Sequence, residues 1–341
     1  MKTIRVSING FGRIGRAFLK VSWDRPEIEI VAVNDLGNID NMAYLLKYDT
    51  VYKHWNHDIK VEGDCLVIDG KKVKVLAEKD TTKLPWKDLN IDVVVESTGL
   101  FTSYEKAQFH ITQGAKKVVI SAPSKGSDGT VKGETILLGV NEEKFGNCEI
   151  TSNASCTTNA ASPLIAIMHE ALGIEKAILN TVHGYTASQA LVDGPSKKDM
   201  REGRAAAQNI VPSSTGAAIA VTEAFPELKN LFDGISIRVP VPAGSIVDVT
   251  FISKKSTTAP EVNEILKKAA LDPRWQKVFA VTEEPLVSSD ILGNPHASIA
   301  DLAMTRVVGG NLVKVMGWYD NEMGYTHTLV EHVIKTGQYI K

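Results

Sequence analysis

Gly10, Gly12 and Gly15 stand in G-x-G-x-x-G spacing between an alternating apolar run, TIRVSI (3 to 8), and a stretch where Ile14, Ala17, Phe18 and Val21 recur at helical intervals. This pattern reads as strand, tight turn and helix. Three glycines alone could do no more than shape a turn. At a strand-to-helix junction they let the backbone approach a pyrophosphate, and the helix N-terminus adds amides and the positive end of its dipole. A second apolar run, Ile28 to Val33, ends at Asn34 and Asp35, so an acidic residue follows Gly15 by twenty positions. A carboxylate there accepts hydrogen bonds from the adenosine ribose hydroxyls and repels a 2′-phosphate, which favours NAD over NADP.

Further short β-branched runs follow at IDVVVEST (91 to 98), KKVVIS (116 to 121) and TILLGV (135 to 140). Buried strands separated by helices or loops predict a doubly wound, parallel α/β sheet through about residue 150. The texture then changes. SPLIAIMHEALG (162 to 173) reads as a helix ending at Gly173, while GISIRVPVP (234 to 242) and GSIVDVTFISK (244 to 254) alternate and read as a hairpin. ASIADLAMTRVV and NLVKVMGWYD flank Gly309-Gly310, a second hairpin signal, so the later sheet is expected to be largely antiparallel. Tyr325, Leu329, Val330, Val333 and Ile334 recur at helical spacing in the tail, which predicts a docked amphipathic helix. SKGSDGTVKGE (124 to 134) reads as an exposed loop.

Across 341 residues, 38 Lys and Arg stand against 40 Asp and Glu, a net charge of −2. No global positive field is available for nucleic acid or an anionic membrane, so any anion binding must be local. No apolar run approaches the roughly 20 residues that span a bilayer, and the start lacks a signal peptide's apolar region, which leads to the expectation of a cytoplasmic protein. Cys65, Cys148 and Cys156 lack CxxC spacing, and no histidines stand at metal-ligand spacing, so neither a disulfide framework nor a metal site is expected.

Cys156 sits in TSNASCTTNAASPL, between a strand end and helical periodicity, with Ser, Thr and Asn available as caps. A thiol at a helix start is stabilised as thiolate by the dipole and unpaired amides. Cys65 and Cys148 have no such setting and read as small buried hydrophobes. Among eight histidines, His183 follows the apolar strand ILNTV and opens a loop, where it could converge with the thiol as its base. The other seven read as structural or solvent-facing, and His110 and His296 show no partner signal.

These residues fall in longer stretches: INGFGRIGR (8 to 16), VNDL (33 to 36), ESTG (96 to 99), ISAPS (120 to 124), SNASCTTN (152 to 159), AAAQNIVPSSTGAA (205 to 218), RVPVP (238 to 242) and WYDNEMGY (318 to 325). Along essentially its whole length the chain resembles the phosphorylating glyceraldehyde-3-phosphate dehydrogenases. The resemblance implies a Rossmann NAD-binding domain over 1–155, with a C-terminal helix (320–341) docked back on it, and an α+β catalytic and phosphate-binding domain over 156–319. It also implies that Cys156 forms a hemithioacetal and then a thioester that inorganic phosphate cleaves, with His183 moving the protons. Gly10, Phe11, Gly12, Arg13, Ile14, Gly15, Asn34, Asp35, Thr98, Gly99, Phe101, Ser121 and Asn321 match cofactor-contacting positions, Asn321 orienting the nicotinamide carboxamide. Thr186 and Arg238 match the substrate-phosphate site; Ser155, Thr157, Thr215 and Gly216 match the inorganic-phosphate site, with Arg238 near both.

Ala160 stands where many members carry a second cysteine, Met323 replaces a frequent bulky residue or threonine, and the 125–134 loop is longer than usual. The stretch 187–204 resembles the loop that reaches a neighbouring subunit in the family's homotetramer. Two other readings compete: an erythrose-4-phosphate dehydrogenase, disfavoured by HGYTAS and SSTGAA, and an inactive dinucleotide-binding scaffold, disfavoured by retention of Cys156 and His183. The implied partners are glyceraldehyde 3-phosphate and inorganic phosphate, without nucleic acid or membrane.

Overall fold

The chain is described by a computed structural model over residues 3–124, 127–196 and 199–340. Lys125, Gly126, Lys197 and Lys198, within the two loops singled out above, lie outside the described residues. The chain divides into two units, one of residues 1–136, 141–154 and 329–341, the other of 137–140 and 155–328.

The first unit is a nine-stranded sheet. Its spatial order is Gly133–Thr135, Ile150–Ser152, Lys117–Ile120, Val93–Glu96, Ile4–Asn9, Ile28–Asn34, Lys71–Leu76, Cys65–Ile68 and Ile59–Glu62. The first seven run parallel, and the last two close the edge as antiparallel neighbours. Val93, Val94 and Val95 are wholly buried, as an interior strand covered on both faces requires. One core cluster gathers Leu84, Trp86, Ile91, Val94 and Ala115; another gathers Tyr104, Ala107, Val118, Ile120 and Ile150.

TILLGV does not form the strand its composition predicts. The strand ends at Thr135; Val140 donates its amide to the Leu137 carbonyl at 3.0 Å, and Gly139 turns the chain at φ +76°. Ile136, Leu137 and Leu138 are buried just beyond the strand end, so apolar composition here signals burial without a longer strand.

The second unit is a sheet ordered Val211–Ser214, Phe232–Val239, Ile174–Gly184, Ser245–Ser253, Leu312–Tyr319, Ser298–Asp301 and Phe279–Thr282, with Arg306–Val308 also on Leu312–Tyr319. It is largely antiparallel, with two parallel pairings. The turn at Gly309-Gly310 closes a hairpin, both glycines at positive φ. The other expected hairpin does not form. Phe232–Val239 runs parallel to Ile174–Gly184, which lies between it and Ser245–Ser253. Pro240 and Pro242 cannot donate to a ladder, so the chain leaves the sheet there and re-enters on the far side of the long central strand.

The helix Cys156–Leu172 packs on this sheet and buries Leu164, Ile165 and Met168 completely. It starts six residues before the apolar periodicity does and ends at Gly173, whose φ of +71° stops it. Pro163 interrupts its interior bonding, which hides the true start from a pattern reading. The tail forms a helix over Met323–Gly337 and buries Tyr325, Leu329, Val330, Val333 and Ile334.

Candidate active site

In the first unit the three glycines have different reasons to be glycine. Gly10 sits at φ +95°, and a Cβ there would meet the Thr98 amide at 2.6 Å. A Cβ on Gly15 would collide with the Gly10 carbonyl. A Cβ on Gly12 would meet nothing within 4 Å among the described residues, so the space beside the turn is open. Gly12 also starts the helix Arg13–Ser22 without a side-chain cap, and no acidic residue occupies the first turn. A helix start without a side-chain cap and with an unneutralised dipole end suits a phosphate.

Asp35 accepts from the Phe11 amide at 2.7 Å and the Gly37 amide at 2.9 Å, which fixes its carboxylate beside the turn. Arg13 pairs with Asp49 at 3.0 Å, Ile14 is half-buried, and Phe101 meets Phe109 edge-on at 4.8 Å. The Ser121 amide donates to the Glu96 carbonyl at 2.9 Å. Gly99 has φ +73°.

Asn34 and Thr98 face the protein. Asn34 donates to Asn9 Oδ1 at 2.8 Å and the Glu78 carbonyl at 3.0 Å, and accepts from the Glu78 amide. Thr98 donates its amide and hydroxyl to Glu96. Glu96, buried, also accepts from Asn9 at 2.6 Å and from His110 Nε2 at 3.0 Å, and Trp86 donates its indole N–H to His110 Nδ1 at 2.9 Å. His110 therefore has two partners that sequence reading did not foresee, because both lie far along the chain.

In the second unit Ser155 caps the catalytic helix, its Oγ accepting from the Thr158 amide at 3.1 Å, and Cys156 is the first helical residue. His183 stands near the end of its strand, in register with Arg238 on one neighbour and Ser245 on the other. Parallel register sends the His183 and Arg238 side chains to one face, and Nε2 of His183 comes within 3.4 Å of Cys156 Sγ. Nδ1 of the same ring lies 2.6 Å from the Gly184 carbonyl and 2.6 Å from Arg238 Nη1.

Burial lowers the His183 imidazole to about 3, with the Arg238 charge acting the same way. Burial raises the Cys156 thiol, against the pull of Arg238 and of hydrogen bonds from Thr157. Burial thus disfavours the charged form of each group, while the Arg238 charge favours the thiolate and opposes the imidazolium.

Tyr319 lies beneath the pair. Its hydroxyl bridges Thr157 Oγ1 at 2.9 Å and Thr181 Oγ1 at 2.7 Å, and its ring meets that of His183 edge-on at 5.9 Å. Burial pushes the phenol up, so it stays protonated. Sequence reading included Tyr319 in WYDNEMGY without a role, and that motif was the only signal. Thr157 consequently turns its hydroxyl inward to Tyr319. Asn321 Oδ1 accepts from the Gly244 amide at 3.0 Å and Ser245 Oγ at 3.2 Å, which directs its NH2 group the other way. Thr186 bonds Ser188 at 3.0 Å. Thr215 accepts from the Ala217 amide at 3.2 Å, and Gly216 opens the helix Ala217–Ala224. No hydrogen bond among the described residues joins Thr186, Thr215 or Gly216 to Arg238.

Ala160 is fully buried in the catalytic helix, and all three cysteines are free thiols. No group of three or more potential metal ligands occurs among the described residues.

A nucleophilic thiol with its own base, on a chain that also builds a dinucleotide turn, defines an oxidoreductase that joins covalent catalysis to a nicotinamide cofactor. Residues 4–104 match the family described as glyceraldehyde 3-phosphate dehydrogenase, NAD binding domain, and residues 155–321 its C-terminal domain. Glyceraldehyde-3-phosphate dehydrogenase 2 of Streptomyces avermitilis is 47% identical over 98% of this chain and 99% of its own length. The enzymes of Thermotoga maritima (48% over 96% of this chain and 97% of their counterpart) and Geobacillus stearothermophilus (46% over 96% of each) are similarly related. The chain belongs to the glyceraldehyde-3-phosphate dehydrogenase family.

Proposed function

We propose that this protein oxidises D-glyceraldehyde 3-phosphate with NAD and inorganic phosphate to 1,3-bisphosphoglycerate, a glycolytic and gluconeogenic step. The observation that carries the mechanism is the 3.4 Å approach of His183 Nε2 to Cys156 Sγ. His183 takes the thiol proton as Sγ bonds the aldehyde carbon, and passes it to the aldehyde oxygen to give a hemithioacetal. It then takes the hydroxyl proton back as hydride leaves that carbon, and a thioester remains on Cys156. NAD supplies the hydride acceptor. A phosphate oxygen attacks the thioester carbon, the C–S bond breaks, and the sulfur leaves as thiolate, which regains a proton.

Gly10, Gly12, Gly15 and the open helix start suit the pyrophosphate, Asp35 the ribose, and Asn321, through its NH2 group, the carboxamide. Phe11, Arg13, Ile14, Asn34, Thr98, Gly99, Phe101 and Ser121 complete the proposed cofactor surroundings, Asn34 and Thr98 by holding the turn from within. Arg238 and Thr186 hold the substrate phosphate; Ser155, Thr157, Thr215 and Gly216 hold inorganic phosphate. The proposed domain division remains 1–155 and 156–319, with the C-terminal helix on the first.

A homotetramer is part of this proposal, supported by exposed apolar residues in the second unit: Leu191 and Met200 on the long loop, Ile178 and Ile235 on the sheet. Light scattering tests it. A cytoplasmic location fits three free thiols, which a reducing compartment preserves. No helix among the described residues is long and apolar enough to cross a membrane.

The activity is tested by NADH formation from glyceraldehyde 3-phosphate and NAD, with and without inorganic phosphate. Sustained turnover only with phosphate is expected. Turnover independent of phosphate, or none with both substrates, contradicts the proposal.

A further inference from the structure

We propose that Glu96 is a positioning residue for NAD: its buried carboxylate holds the turn at 10–12 and the turn at 97–99 at a fixed separation, on which dinucleotide affinity depends. The inference rests on the reading of these turns as part of the NAD site and adds the residue that sets their geometry.

Glu96 ends one strand and Asn9 ends its parallel neighbour, and the two are partners in register. From this pair the sheet continues to Ile28–Asn34 on one side and to Lys117–Ile120 on the other, so the turns flank the switch point where open α/β sheets take their ligands. The turns have little slack between them. The Ser97 amide donates to the Asn9 carbonyl at 2.7 Å, and the Ser97 hydroxyl donates to the Gly10 carbonyl at 2.7 Å. The atom that leaves no room for a Cβ on Gly10 is the Thr98 amide nitrogen, and this amide donates to Glu96 Oε1 at 2.8 Å. The Thr98 hydroxyl donates to the same oxygen and accepts from the Leu100 amide at 3.1 Å.

Apart from that hydroxyl, the groups that reach the carboxylate are donors that cannot reverse. The Glu78 backbone amide and carbonyl orient Asn34, which donates to Asn9 Oδ1 and so turns the Asn9 NH2 group to Glu96 Oε2. Burial lowers the His110 pKa, and the Trp86 indole N–H occupies Nδ1 of the neutral ring, so its one proton points from Nε2 to the same carboxylate oxygen. The Thr98 backbone N–H can only donate. A side chain with an N–H of its own therefore does not fit here. A glutamine, nearly the same size, sets its NH2 group against the Thr98 amide if placed at Oε1, and against Asn9 and His110 if placed at Oε2. Either arrangement buries donor against donor and drives the two turns apart. A ligand that must meet both turns then loses contacts. The helix Arg13–Ser22 starts directly after the first turn, so its uncapped end moves with it.

The test is calorimetric titration of the full-length protein with NAD and, separately, with ADP-ribose, which lacks the nicotinamide. Titration returns affinity and the fraction of competent sites independently, so a mere loss of folded protein lowers the second without moving the first. Glu96→Gln should raise Kd for both ligands roughly tenfold or more at full stoichiometry, and raise the NAD KM to match while kcat at saturating NAD stays within about threefold. By charge alone the substitution favours an anionic ligand, so weaker binding reports geometry. Trp86→Phe is the control for stability: it should lower the urea midpoint, yet it leaves Asn9 and Thr98 on Glu96, so both Kd values should stay within about twofold. Where Glu96→Gln does not fold, Thr98→Val decides, with a rise of about threefold or more expected from loss of the hydroxyl bond. A smaller rise in the deciding variant, weaker NAD binding with ADP-ribose unaffected, or a Trp86→Phe protein that binds as poorly as the deciding variant overturns the proposal. Wild-type protein that binds neither ligand overturns the NAD reading of the turns instead.

Discussion

His110 in the first unit and His183 in the second are both buried, and their surroundings differ in one respect. Around His110 each partner has a single possible role: the Trp86 indole can only donate, so Nδ1 accepts and Nε2 donates to Glu96. His332, also in the first unit, is equally determined, accepting from Thr151 at 2.8 Å and donating to Asn153 Oδ1 at 3.1 Å. His183 has two partners with opposite demands on one atom. Partners of fixed role hold His110 and His332 in one arrangement, whereas Nε2 of His183 faces a thiol with which it can exchange a proton.

The sharpest way to break this contrast is at the thiol. Cys156→Ser should lower turnover by roughly 10³-fold or more while NAD binding, followed by fluorescence titration, persists. Substantial turnover in that variant would exclude covalent catalysis. His183→Asn should lower kcat by roughly 10² to 10⁴-fold, and the double variant should be little worse than Cys156→Ser, because the two act as one unit.

Asp35→Gly comes next, with the NAD over NADP ratio of kcat/KM falling roughly tenfold as the fixed negative charge is lost. An unchanged ratio would move selection to the 192–195 segment.

On the structural side the ordering inverts. His110→Phe strands the Trp86 N–H and Glu96, so it should cost about 3 kcal/mol in urea unfolding and leave kcat within about twofold. Acid should act through the same class of residue. Burial lowers the pKa of His110 and takes His332 down to about 3, so below the ordinary value near 6.5 the unfolded chain binds protons first. Stability contributed by these rings is present above that pH and declines as pH falls toward the folded values. A midpoint in urea flat from pH 7 to 4.5 would contradict it. Tyr319→Phe should have the smallest effect, about 1 to 3 kcal/mol, by leaving Thr157 and Thr181 without their bridge.

The parallel sheet, the glycine turn, the Gly309-Gly310 hairpin and the pairing of Cys156 with His183 were all legible in the chain, because each rests on local pattern or on a long motif. The strand exchange at Pro240 to Gly244 was not, since antiparallel neighbours in sequence can be separated by a strand from elsewhere. The inward roles of Asn34 and Thr98, the partners of His110, and the contact between Arg238 and His183 depend on register between distant segments. No spacing along the chain encodes such contacts. Desolvation of the Cys156 sulfur is likewise set by distant segments, whereas its place at a helix start is visible in sequence.

The central claim is that oxidation proceeds through an acyl group on Cys156. Mixing enzyme with NAD and glyceraldehyde 3-phosphate in phosphate-free buffer, quenching within the burst and mapping the chain by peptide mass spectrometry tests it directly. The account predicts a burst approaching one NADH per chain and a 3-phosphoglyceroyl thioester on the Cys156 peptide, discharged when inorganic phosphate is added. A burst with an unmodified Cys156 peptide, or an acyl group on Cys65 or Cys148 in its place, would contradict it.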